Sequence, residues 1–131
     1  MESRVELAVQ NKKQGMNCAQ AVACAFCDLA NADVDTMAAV TQGFGGGIGG
    51  SLEGTCGAII GACTVIGLAN RNGERSQTMK ACKQILTQFN ERSGSVICKE
   101  LKGIGTGKVL RSCDDCVRDA AEFLEKSLTD L

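Results

Sequence analysis

The chain contains no proline, no histidine, no tryptophan and no tyrosine. Without proline, helix ends must be set by glycine and by polar caps. Without histidine there is no imidazole to carry protons near neutral pH or to bind a metal. The aromatics are four phenylalanines, Phe26, Phe44, Phe89 and Phe123. Ala, Val, Ile, Leu, Met and Cys must therefore fill the core. Such small side chains let helices approach closely but bury less area each, so packing must be tight. Excess charge is missing too: 14 basic residues face 15 acidic ones, for a net charge of −1. With no basic stripe interleaved with aromatics, nucleic acid is not an expected partner. The longest apolar stretch, Cys56 to Ala69, is about 14 residues and broken by glycine, short of the roughly 20 that span a bilayer. The opening MESRVELAVQNKKQG lacks the apolar region of a secretion signal, so a cytoplasmic protein without a membrane partner is expected.

Cysteine is what the chain has in quantity: nine, at 18, 24, 27, 56, 63, 82, 98, 113 and 116. An odd number without an export signal argues against a structural disulfide framework. In a reducing cytosol, clustered cysteines point instead to metal binding or redox chemistry, while others simply pack in the core. A length of 131 residues suits one domain, and 44 % hydrophobic and 22 % charged residues are ordinary for a globular one.

Apolar spacing predicts helices nearly throughout. Residues 3–13 form a short helix closed by Gly15. Asn17 caps a helix over 18–30, with Ala19, Val22, Ala23 and Phe26 on one face. Asp33 or Asp35 caps a segment reaching Phe44. After a glycine stretch, Thr55 caps a helix over 56–69 that is apolar nearly all round and so buried centrally. Residues 70–73 turn into a long amphipathic helix, 74–92, with Met79, Cys82, Ile85, Leu86 and Phe89 inward. A glycine-broken segment, 93–112, carries one helical turn at CKEL, and the last helix covers about 113–129. No stretch alternates as a strand would. The expected fold is all-α, a single-domain bundle of about five helices with a glycine-rich loop before a central helix.

The stretch GGGIGGSLEGTCGAIIGAC, 45–63, raises the question of why glycine crowds a thiol. It contains one GxGxxG match, Gly45, Gly47 and Gly50, but no preceding strand and no βαβ unit, so a nucleotide is not expected. Cys56 falls in the first turn of its helix, where unpaired N–H groups favour thiolate. Glycines before it can turn backbone donors toward sulfur, and Gly54 and Gly57 flank it. Gly57 and Gly61 form a ridge of small residues for close helix packing. Of two CxxC pairs, Cys24–Cys27 lies in an apolar helix and reads as core. Cys113–Cys116 opens the last helix, where Asp114 and Asp115 oppose thiolate formation and a bound metal would relieve them. Cys18, Cys56, Cys98 and Cys113 all stand at helix starts and can converge. Cys82 reads as core, and Cys63 as core or as a neighbour of Cys56.

GMNCAQAV at 15–22, the glycine stretch leading into GTCGAIIGA at 54–62, CKELKG at 98–103 and CVRDAAEFLEK at 116–126 together resemble the redox-active C-GCAxxG-C-C proteins. These are small cysteine-rich proteins, mostly of anaerobic bacteria and archaea. The resemblance covers nearly the whole chain. It implies that the working thiols are Cys18, Cys56, Cys98 and Cys116, with Cys113 as a substitute for the last. A similar domain occurs in the split-Soret cytochromes c, which are dimeric and carry iron–sulfur chemistry. This chain has no CxxCH, so covalent haem is not expected.

Three functions follow as expectations. The first is electron transfer through an iron–sulfur cluster on Cys18, Cys56, Cys98 and Cys116, with loop N–H groups at Gly54 and Gly57 donating to it. The second is metal-free thiol–disulfide exchange, with Cys56 attacking and Cys18, Cys98 or Cys116 resolving. The third is a structural zinc site or interaction module. A redox partner protein, and a second copy of the chain across an alanine-rich helix surface, are the expected partners.

Overall fold

Polar caps set most of the helix starts. In the computed structural model, which describes residues 2–131, Asn17 and Gln20 form a reciprocal capping box, Asp33 accepts from Thr36 N–H, and Ser112 accepts from Asp115 N–H. Seven α-helices result: α1 (Val5–Lys13), α2 (Cys18–Ala25), α3 (Val34–Thr41), α4 (Gly57–Ala69), α5 (Arg75–Ser93), α6 (Cys98–Lys102) and α7 (Cys113–Asp130). A 3-10 turn, Gln42–Phe44, follows α3. The all-α class is as expected, and each of the seven helices among the described residues falls on a segment read from the sequence, although the expected bundle has about five. The count rises because the short α3 and α6 are helices in their own right, and short elements are where apolar periodicity carries least signal.

The centre of the bundle is α4, which packs against α2, α5 and α7. Its Ala58, Ile59, Ala62, Val65 and Ile66 are buried among Val22, Phe26, Ile85, Phe89, Val117 and Leu124. Close approach is achieved by omitting side chains. A Cβ at Gly61 would lie 2.4 Å from the Ala19 carbonyl oxygen, and one at Gly57 would lie 2.7 Å from that of Phe44. The ridge of small residues thus seats α4 on the first turn of α2. No helix among the described residues is long and apolar enough to cross a membrane.

Several local expectations change. Helix α2 stops at Ala25, where Phe26 leaves helical geometry and a turn runs on to Asn31 at φ 53°. Cys24 and Cys27 therefore sit at a helix end, not in mid-helix. Thr55 does not cap α4: the N-cap is Cys56, and Thr55 instead pairs with Ile97 in an isolated antiparallel bridge. On α5 the buried face is Ala81, Ile85 and Phe89, while Met79 is 65 % exposed and Leu86 also faces solvent. The i, i+4 spacing of the buried set outweighs the apolar character of Met79.

One buried carboxylate ties the C-terminal half together. Asp119 on α7 is 1 % exposed and accepts from Arg92 at 3.0 Å and from Arg111 at 2.8 and 3.0 Å. Arg92 also stacks over Phe123, 4.5 Å from the ring centroid. Asp119→Ala is expected to cost about 2 kcal/mol, because two guanidinium groups lose their shared acceptor but can partly turn to water. A denaturant titration with unchanged midpoint would contradict this.

Candidate functional site

The glycine stretch is shaped by handedness. Five consecutive residues, Gly46 to Gly50, have positive φ, at 59, 68, 71, 64 and 71°. Each L-residue with a Cβ costs about 1–2 kcal/mol in left-handed geometry, so only glycine sustains such a run. Ile48 is the exception. The turn is closed by backbone bonds from Leu52 N–H to Gly46 O (2.8 Å) and from Gly54 N–H to Gly47 O (2.9 Å). Gly47 is also needed for room: a Cβ there would lie 2.6 Å from the Cβ of Cys98.

Just beyond the turn, residues 52–56 run antiparallel to 96–99. Cys56 N–H donates to Val96 O (2.7 Å), Cys98 N–H to Gly54 O (3.0 Å) and Lys99 N–H to Leu52 O (2.9 Å). This short ladder sets Cys56 beside Cys98. The α2–α4 contact brings in Cys18, and α7 supplies Cys113 and Cys116. All five thiols line one cavity of about 20 Å³, with Gly46, Gly57, Lys102 and Arg111 among its other walls. That volume holds about one water-sized group.

Cys18, Cys98 and Cys113 are the first residues of α2, α6 and α7, and Cys56 is the N-cap of α4. Cys116 lies one turn into α7. Four helix N-termini thus face one cavity, and the positive ends of their dipoles favour sulfur anions there. The thiols do not meet as one set. Cys18 and Cys113 are each the largest influence on the other's pKa, as are Cys56 and Cys116, while Cys98 is paired with neither set. Among the described residues, no three cysteine or carboxylate side chains are grouped as ligands of one metal ion.

Each pair divides its charge. In the outer pair, the Cys18 thiol donates to Cys113, and Lys102 and Lys12 add positive charge, so the Cys113 thiol falls to about 6 despite Asp114. Cys18 is pushed up, first by that hydrogen bond and then by burial. In the inner pair, Cys116 donates to Cys56. The Cys56 sulfur makes no strict capping bond, yet the N–H groups of Ala58 and Ile59 also favour its thiolate, and its pKa is lowered. Cys116 is raised by the same bond and by burial. Burial alone is the main cause that raises Cys98. Exposure separates the pairs: Cys56 and Cys116 are 5 % and 3 % exposed, whereas Cys18 and Cys113 are half-buried.

Cys18, Cys56, Cys98 and Cys113, the cysteines expected at helix starts, line one cavity, and Cys116 joins them as a fifth member. Of the two flanking glycines, Gly57 lines the cavity, and Gly54 lies outside it with its N–H committed to Gly47. Cys24, Cys27, Cys63 and Cys82 lie elsewhere. The part sequence reasoning missed is Cys113 as the accessible thiolate. Asp114 opposes the thiolate, while the groups that favour it, Cys18, Lys102 and Lys12, are distant in sequence. Alkylation of Cys113 by iodoacetamide should rise with pH through about 6 and then level off, because only the thiolate reacts. A midpoint near that of an ordinary thiol, about 8.5, would contradict the assignment.

A small all-α domain whose thiols converge at four helix N-termini defines a class of polythiol protein. Within it the chain belongs to the C_GCAxxG_C_C family: the family model described as "Putative redox-active protein (C_GCAxxG_C_C)" matches residues 16–127. No curated protein and no solved structure matches the chain significantly.

Proposed function

We propose that this redox-active family member is a two-electron thiol–disulfide protein that works through two stacked dithiol pairs. The observation that carries the reading is the one cavity that Cys18, Cys56, Cys98, Cys113 and Cys116 line together; the pKa directions divide four of them into Cys18 with Cys113 and Cys56 with Cys116, each with one member disposed to be thiolate. Cys113 is the half-buried thiolate, so it attacks an incoming disulfide. One sulfur of that substrate bonds to Cys113 and the other leaves as thiolate. Cys18 then loses its proton to the departing thiolate and attacks the Cys113 sulfur, releasing the second substrate thiol. The balance is one substrate disulfide reduced to two thiols and one Cys18–Cys113 disulfide formed. Lys12 and Lys102 stabilise the negative charge throughout. The inner pair then reduces the outer: the Cys56 thiolate attacks it and Cys116 resolves. This moves the first attack from Cys56, too buried to meet a substrate, to Cys113.

A second reading is an iron–sulfur protein. The donor set favours it, since a two-iron cluster takes two thiolates per iron, and Cys18 with Cys113 and Cys56 with Cys116 are grouped two and two. Such a cluster would supply one-electron transfer. The cavity of about 20 Å³ does not fit one without the four side chains turning outward. A single zinc ion has the least support, because among the described residues no three ligands are gathered on one point.

Iron, sulfide and zinc analysis with a visible spectrum, on protein purified without oxygen, separates these readings. Colourless, metal-free protein that exchanges with a model disulfide supports the dithiol reading. Brown protein with stoichiometric iron and acid-labile sulfide overturns it in favour of the cluster.

A further inference from the structure

Outside the five-thiol cavity, α4 and α5 form an antiparallel hairpin joined by the turn at 70–74. Cys63 lies six residues before the end of α4, and Cys82 lies seven after the start of α5. At 1.5 Å of rise per residue these are nearly equal distances from the turn, so the two side chains meet at one level. They do meet: the Cys82 Sγ donates to the Cys63 carbonyl oxygen at 4.0 Å, and each thiol is the largest influence on the other's pKa. Both are half-buried, not sealed in the core, although sequence spacing alone makes Cys82 read as core. Neither lines the five-thiol cavity.

We propose that Cys63 and Cys82 are a second, independent redox site, an oxidisable dithiol that closes to a disulfide across the α4–α5 hairpin when a low-molecular-weight disulfide is the oxidant. Cys82 attacks one sulfur of the small disulfide and expels the other as thiolate. Cys63 gives its proton to that thiolate and attacks the Cys82 sulfur, releasing the second small thiol. Two protein thiols are oxidised and one small disulfide is reduced to two thiols. The order follows from the mutual influence of the two thiols, which lowers the Cys82 thiol and raises that of Cys63. The product pins α5 to the helix that carries Cys56.

The test is peptide mapping by mass spectrometry of the reduced full chain after exposure to oxidised glutathione, alongside Cys63→Ser. The expected wild-type result is a linked peptide pair containing Cys63 and Cys82. In Cys63→Ser, which leaves the attack intact but removes the resolving thiol, Cys82 should carry glutathione. Reduced Cys63 and Cys82 in the wild type, while a free peptide thiol is fully oxidised, would overturn the proposal. So would pairing of either with another cysteine. The map reads the five-thiol site separately. A linked Cys63–Cys82 pair beside unpaired cavity thiols would uphold this inference and sink the dithiol reading of the main site.

Discussion

Gly61→Ala is expected to destabilise the protein by about 3 kcal/mol, the upper part of the range for overpacking a core. The added Cβ would lie 2.4 Å from the Ala19 oxygen and 3.1 Å from its carbonyl carbon and Cα. Those are backbone atoms, so no side chain can rotate away. Helix α4 must move off α2, and the burial of Ala58, Ala62 and Val22 loosens with it. The midpoint of thermal unfolding should fall by roughly 10 °C for a chain of this size. Gly67→Ala supplies the control on the same helix. Nothing lies within 4 Å of the Cβ that Gly67 would gain, and its φ is not positive. That variant should gain about 0.5–1 kcal/mol, because alanine loses less backbone freedom on folding. Equal effects at the two positions would refute the close α2–α4 contact. The contact bears on function as well as stability, since Cys18 directly precedes Ala19 and shares the cavity with Cys56.

Cys113→Ser should lower the rate of exchange with a small disulfide at pH 7 by about 30-fold. With its thiol at about 6, Cys113 is mostly thiolate at that pH. Removing it leaves Cys18 as the accessible sulfur, freed from the partner that raised it and returned toward an ordinary thiol. Such a group is only about three hundredths thiolate at neutral pH. Cys24→Ser, at the end of α2 and outside the cavity, should leave the rate within about twofold. A Cys113→Ser protein that kept its full rate would move the attack to another thiol. If the rate fell equally in Cys24→Ser, the loss would reflect the fold and not the nucleophile.

Much of this site was legible in the sequence because its parts announce themselves locally. Asn17, Gly54 to Gly61 and the CKEL turn mark helix starts by short-range chemistry, and the cysteines sit at those starts. The central position of α4 followed from its being apolar all round. What escaped the sequence was non-local. Nothing near Cys98 says that residues 96–99 pair with 52–56. Nothing near Cys113 says that Lys12 and Lys102 will face it. The left-handed run at 46–50 was readable only as glycine density, since a composition permits a conformation without naming it. The Cys63–Cys82 meeting needed the length of the 70–74 turn to set the register of the hairpin. Met79 misled for a simple reason: an apolar side chain does not fix which face of α5 turns inward when Ala81, Ile85 and Phe89 compete.

The central claim is that the cavity holds two dithiol couples, and a redox titration reads it most directly. Metal-free protein would be equilibrated anaerobically against graded ratios of reduced to oxidised dithiothreitol, quenched in acid and mapped by mass spectrometry. The account predicts two disulfides in the cavity, Cys18–Cys113 and Cys56–Cys116, with Cys98 still a free thiol. The contradicting result is a cavity whose thiols stay reduced across the whole range, or whose disulfides join cysteines of different pairs.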